Sequence, residues 1–179
     1  MAEKYIQNGG GYGGAIGGRD GNGKVTINGG YIKTTGYSII GYRWKDVEIN
    51  GGTIDTGRIS CKTEGNIKLL GGNIFVKNNA ISTYNGNAIV GYIPTYKNAN
   101  VYKTQIKIQD IEENKKIESL TTSDNIEYGI KDMYTLEDGM LYLYLPLGKR
   151  EITVKVDGKS YKGEVDTKEE ENVTVLNQI

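Results

Sequence analysis

Along the first hundred residues the apolar positions alternate with polar ones in short bursts, each closed by a pair of glycines. Val25-Thr26-Ile27-Asn28-Gly29-Gly30-Tyr31-Ile32 returns as Val47-Glu48-Ile49-Asn50-Gly51-Gly52-Thr53-Ile54, and again as Ile67-Lys68-Leu69-Leu70-Gly71-Gly72-Asn73-Ile74. The Gly-Gly pairs fall 22 and then 20 residues apart. A second echo runs through Ala15-Ile16-Gly17-Gly18, Ile39-Ile40-Gly41-Tyr42 and Ile89-Val90-Gly91-Tyr92. Alternation with a period of two is the signature of a strand with one buried face. The Gly-Gly pair supplies backbone angles closed to other residues, so the chain turns a corner there.

Each unit therefore reads as a strand, a corner, a second strand from Ile32, Ile54 or Ile74, and a third apolar point near Ile59. Three short strands and three corners make one turn of a parallel β-helix. Stacking the turns lines up Val25, Val47 and Ile67, then Ile27, Ile49 and Leu69, then Ile32, Ile54 and Ile74. One unit alone cannot cover its apolar side, so stability must come from its neighbours. A helical alternative fails, because two glycines per unit would cost about 2 kcal/mol relative to alanine. The expectation is a short right-handed parallel β-helix of three to four coils over residues 1–100.

From Tyr102 the alternation lengthens. Ile106-Lys107-Ile108, Leu141-Tyr142-Leu143-Tyr144-Leu145 and Ile152-Thr153-Val154-Lys155-Val156 each read as strands. Asp157-Gly158 is a strong hairpin signal into Ser160-Tyr161, and Val173-Thr174-Val175 closes the sheet. The acidic run Glu169-Glu170-Glu171 reads as a solvated loop before that last strand. About seven strands with evenly spaced turns predict a small antiparallel β-sandwich over residues 101–179. Composition places the boundary at the same point. Residues 1–100 hold 21 of the 26 glycines, with 11 Lys/Arg against 6 Asp/Glu; residues 101–179 hold 11 against 16. The whole chain is all-β.

The stretch Gly10 to Gly30, with its echoes to Tyr92, resembles the glycine-rich "GAIGG…ITINGG" repeats of large secreted proteins of Gram-positive gut bacteria. Thr135-Leu136-Glu137-Asp138-Gly139-Met140-Leu141-Tyr142-Leu143-Tyr144-Leu145-Pro146-Leu147-Gly148, with its lead-in Tyr128-Gly129-Ile130-Lys131-Asp132, resembles a segment of prealbumin-like bacterial surface domains. Together these resemblances imply an extracellular or cell-surface location within a larger exported protein, and a structural or spacer role for the second half. The second of them carries no catalytic residues.

Candidate chemistry is sparse. The chain has no histidine, which removes Ser-His-Asp and Cys-His mechanisms and the common zinc sites. No phosphate-binding loop is present, no cofactor is implied, and the net charge of zero argues against nucleic acid. No apolar run approaches the ~18 residues that span a membrane, and the polar residues after Met1 do not read as a signal peptide. The single cysteine, Cys61, reads as a structural thiol. Gly17-Gly18-Arg19-Asp20-Gly21-Asn22-Gly23 has the residue types of a calcium-binding nonapeptide but occurs once and in the wrong order, so no metal site is expected. Glu48 and Asp55, with Glu64 nearby, could be a glycosidase-like acid pair. Their neighbours one repeat away, Thr26 and Lys33 before and Lys68 and Phe75 after, make cross-repeat ion pairs the simpler expectation. Tyr31, Tyr37, Tyr42 and Trp44 lie within fourteen residues. Aromatic rings on a flat sheet either cover a thin core or stack on sugar rings, and these four are the candidate ligand-binding residues. The expected function is a non-enzymatic surface module serving as stalk, adhesin or contact for a polysaccharide or host glycan. The alternative is a fragment of a polysaccharide-active β-helix enzyme, a lyase or glycoside hydrolase.

Overall fold

The computed structural model builds the chain almost wholly from β-strands in two mixed sheets. It describes residues 4–7, 14–16, 23–34, 39–40, 46–61, 65–77, 80–83, 87–89, 95–97, 101–124 and 128–179. Ahead of residue 100 lie β1 (Lys4–Gln7), β2 (Gly14–Ile16), β3 (Lys24–Ile27), β4 (Tyr31–Thr34), β5 (Ile39–Ile40) and β6 (Asp46–Thr56). They are followed by β7 (Arg58–Cys61), β8 (Asn66–Val76), β9 (Ala80–Thr83), β10 (Asn87–Ile89) and β11 (Thr95–Lys97). Then come β12 (Val101–Ile108), β13 (Ile117–Thr122), a 3-10 turn at Glu137–Gly139, β14 (Met140–Leu145), β15 (Gly148–Val156), β16 (Lys159–Thr167) and β17 (Asn172–Gln178).

The first sheet runs β1-β4-β6-β8-β10-β11, with β3 also beside β6. Its pairings are parallel until β11 folds back antiparallel on β10. The repeat sets the register. Val25 faces Val47 and Val47 faces Ile67; Ile27, Ile49 and Leu69 follow, as do Ile32, Ile54 and Ile74. All nine are buried, and each isoleucine contributes roughly 2–3 kcal/mol by burial. A further inward row was not evident from the pattern: Thr34 and Thr56 are buried and their hydroxyls bond each other at 2.8 Å, with Val76 next in line.

The corners differ from expectation. β6 and β8 each run unbroken through their Gly-Gly pair, and the corner is a bend with a register slip between Asn50 and Thr53. Gly30, Gly52 and Gly72 take φ of 88°, 94° and 93°, a region closed to side chains. A Cβ on Gly52 would also stand 2.6 Å from the Gly30 carbonyl. The second echo is only partly structural. Ile16 pairs with Ile40 and Ile40 with Ile59, whereas Ile89 lies in the other sheet, opposite Lys68.

The second sheet runs β13-β15-β16-β17-β12-β9-β7-β5-β2, with β14 on β12. It crosses from one half of the chain to the other. β9 pairs antiparallel with the first two residues of β12, and β17 takes over the same strand from Thr104. Among the described residues the second half has six strands, and it is not wholly antiparallel, because β12 and β17 run parallel. β13 is an addition, its alternation hidden by a bulge between Ile117 and Ser119. The hairpin is as expected, with Asp157 and Gly158 both at positive φ, 51° and 71°. β17 presents the reverse of its apparent apolar face. Pairing with Ile106 and Ile108 turns Thr174 and Leu176 inward, and leaves Val173 and Val175 65% and 43% exposed.

The two halves also meet across β8. β10 covers only the first three residues of its outer edge, Asn66 to Lys68. Beyond that the C-terminal half takes the place of a further repeat. Gly72 N donates to the Lys131 carbonyl at 2.6 Å, and Val76 N to the Tyr144 hydroxyl at 2.7 Å. Gly129 lies so close to Leu70 that a Cβ there would overlap the Leu70 backbone.

Candidate functional site

Outward positions of β4, β6 and β8 form two cross-strand rows. Tyr31, Thr53 and Asn73 make one; Lys33, Asp55 and Phe75 make the other. Segment 133–142 comes down over these rows, and a groove of about 190 Å³ remains between them. Its aromatic lining is Tyr31, Phe75 and Tyr142, its aliphatic side includes Met133, Leu136 and Leu141, and Thr53, Asp55 and Asn73 are its polar members.

Several contacts fix these side chains. The Phe75 and Tyr142 rings meet edge to face at 5.2 Å, and the Lys103 ammonium lies 4.8 Å from the Phe75 centroid. Lys103 is buried and pairs with Glu171 at 3.4 Å, so the acidic loop, exposed as expected, also supplies the countercharge for that lysine. Burial, and then the Glu171 charge, raise the Tyr142 hydroxyl above its ordinary pKa, keeping it a neutral phenol. The Asn73 side-chain Oδ1 accepts from Tyr134 N at 3.0 Å, which leaves its amide NH₂ as a donor.

The Asp55 carboxylate is under-satisfied. Oδ2 lies 3.5 Å from Lys33 Nζ, while Oδ1 is buried with no hydrogen-bond partner. Such an orphan acceptor costs about 1–3 kcal/mol or more when charged, and calls for an explanation.

Glu48 is placed differently. It is half-buried rather than exposed, takes a 2.7 Å ion pair from Lys24 and a 3.0 Å bond from Asn50, and those bonds hold its carboxyl below the ordinary pKa. Both acids thus pair with lysines of the preceding repeat. Asp55 does so with the lysine expected from register, and Glu48 with one two residues earlier along its neighbour strand. Glu64 and the stretch 17–22 lie outside the described residues.

Of the four aromatic candidates, Tyr31 is at the groove; Tyr37, Tyr42 and Trp44 lie outside the described residues. Tyr31 is brought together with Phe75 and Tyr142. Phase along the repeat could have found Phe75, which shares a row with Asp55, but no sequence signal brings Tyr142 or Leu136 to that place. Cys61 is buried, and desolvation, then the Asp46 charge, push its thiol up to about 12, the state of an inert structural cysteine. Among the described residues no group of three or more His, Cys, Asp or Glu could hold a metal ion, and no helix is long and apolar enough to cross a membrane.

Compared with protein families, with characterised proteins and with solved structures, the chain finds no match in any of the three.

Proposed function

We propose that this chain is a non-enzymatic module of an exported bacterial surface protein, with residues 1–100 wound as a short right-handed parallel β-helix and residues 101–179 forming a prealbumin-like β-sandwich. Its role is that of a stalk or adhesin whose repeat face contacts a polysaccharide or host glycan. One observation carries the reading: aromatic and hydrogen-bonding side chains share regular outward rows on a face made stiff by its parallel register. Sugars offer a matching mixture, with apolar C–H faces for the rings and hydroxyls for the polar groups. The pairing of Glu48 and Asp55 with lysines favours this role over hydrolysis, since each carboxylate already has a cationic partner.

The test is a glycan array probed with the intact protein, followed by a reducing-end assay on every polysaccharide retained. Retention without new reducing ends is the expected result. Tryptophan emission adds a local readout, because Trp44 is the sole tryptophan and should respond to a bound polysaccharide. A blank array sinks the glycan reading, and release of reducing ends turns the assignment to an enzyme.

A further inference from the structure

We infer that the groove between the outward rows of β4, β6 and β8 and the segment 133–142 is a binding site for a single neutral pyranose ring. The inference rests on the glycan reading and names where and how one sugar is held. Size is the first argument. At about 190 Å³ the groove falls below the roughly 300–1,000 Å³ of sites for drug-sized ligands, which suits one ring rather than an oligosaccharide.

Chemistry is the second argument. Tyr31, Phe75 and Tyr142 supply aromatic surface for a sugar's C–H face. Asp55 supplies an acceptor with an unpaired oxygen, Asn73 supplies an amide donor, and the Thr53 hydroxyl serves either way. A pyranose has vicinal hydroxyls that donate to the one and accept from the other. A quarter of the Asp55 side chain is exposed, so a small shift of the carboxylate toward a hydroxyl satisfies the oxygen that now has no partner.

Charge is the third argument. Among the described residues the one charged side chain lining the groove is Asp55, and its charge is already balanced by Lys33 at 3.5 Å, so neither an anionic nor a cationic sugar gains an unpaired countercharge there. The site takes neutral sugars.

The experiment is saturation-transfer NMR on the intact protein. The probes are the methyl glycosides of glucose, galactose, mannose and N-acetylglucosamine, with methyl glucuronide as the charged control. Transfer to at least one neutral glycoside is expected, with millimolar-class affinity, and none to the glucuronide. Asp55→Asn should weaken binding about tenfold or more, the loss of a hydrogen bond to a charged acceptor. Leu136→Trp changes a half-buried lining residue and should abolish binding by filling the groove; it also decides the matter if Asp55→Asn does not fold. Affinity within twofold of the parent in both variants overturns the groove, as does the absence of transfer from all four neutral glycosides. If the array still retains a polysaccharide in those cases, the glycan reading stands without the groove. If the array is blank as well, both fall.

Discussion

The repeat region and the C-terminal region bury apolar strands equally well, yet their polar side chains behave in opposite ways. In the repeats, like stands beside like. The Asn50 amide donates to Asn28 Oδ1 at 2.9 Å, and Thr34 bonds Thr56. In the C-terminal region buried polar groups reach sideways to hold loops. Arg150 donates to the Pro146 and Leu147 carbonyls and to Thr167, and Asn172 donates to the carbonyls of Lys103, Lys168 and Glu170. A stack satisfies its polar atoms by translation, so one choice serves every copy. The C-terminal region, mostly antiparallel and without a repeat, has no such translation and satisfies each atom separately.

The largest expected effect comes from breaking the stack. Ile49→Asp places an unpaired charge at a fully buried rung between Ile27 and Leu69. It should cost upwards of about 4 kcal/mol and unfold the repeats. Thermal unfolding followed by circular dichroism checks it, with Glu48→Lys as the comparison. Equal midpoints for the two variants would contradict the register.

Next is the joint. Gly129→Val drives a side chain into the Leu70 backbone and should cost about 3 kcal/mol or more. The parent is expected to melt in one transition, and the variant in two, as the halves uncouple. Calorimetry distinguishes the outcomes, and a single transition at the parent temperature would deny the joint any role in coupling.

Within the C-terminal region, Arg150→Met removes the donors that hold the 146–147 loop. The buried side chain also lies 3.6 Å from Asp124. A loss of about 2–4 kcal/mol is expected, confined to that region. Amide exchange should accelerate around 146–151 while the β6 and β8 amides stay protected.

The smallest effect is electrostatic. The Glu48 pKa is lowered in the folded chain, chiefly by the Lys24 bond and then by Asn50. Its contribution is therefore present above the ordinary carboxylate pKa of 4.5 and disappears as pH falls through the lower folded value. Glu48→Gln should cost at most about 1 kcal/mol at neutral pH, and parent and variant should converge in urea unfolding below that window.

How much of this was legible follows the same division. Translation made the rungs of β3, β6 and β8 readable from residue identity alone, and it also placed Lys33, Asp55 and Phe75 in one row. Thr34 and Thr56 escaped notice because a polar residue reads as outward until its partner one repeat away is known. The inversion of Val173 and Val175 was hidden because alternation gives a period but not which phase faces inward; β17 takes its phase from β12. Tyr31 was identifiable as an aromatic on a flat face. Its companions Tyr142 and Leu136, more than a hundred residues later, have no local signature, since they arrive through the docking of segment 133–142.

The closure of the β8 edge gives the stack a direction. Gly72 N and Val76 N, which would greet the next copy, are spent on Lys131 and Tyr144, and the asparagine row stops at Asn50, which stands opposite Gly71. β1, in contrast, pairs with β4 alone among the described residues. A further turn therefore meets no free amide at those two positions of β8, and the C-terminal region caps that side of the stack.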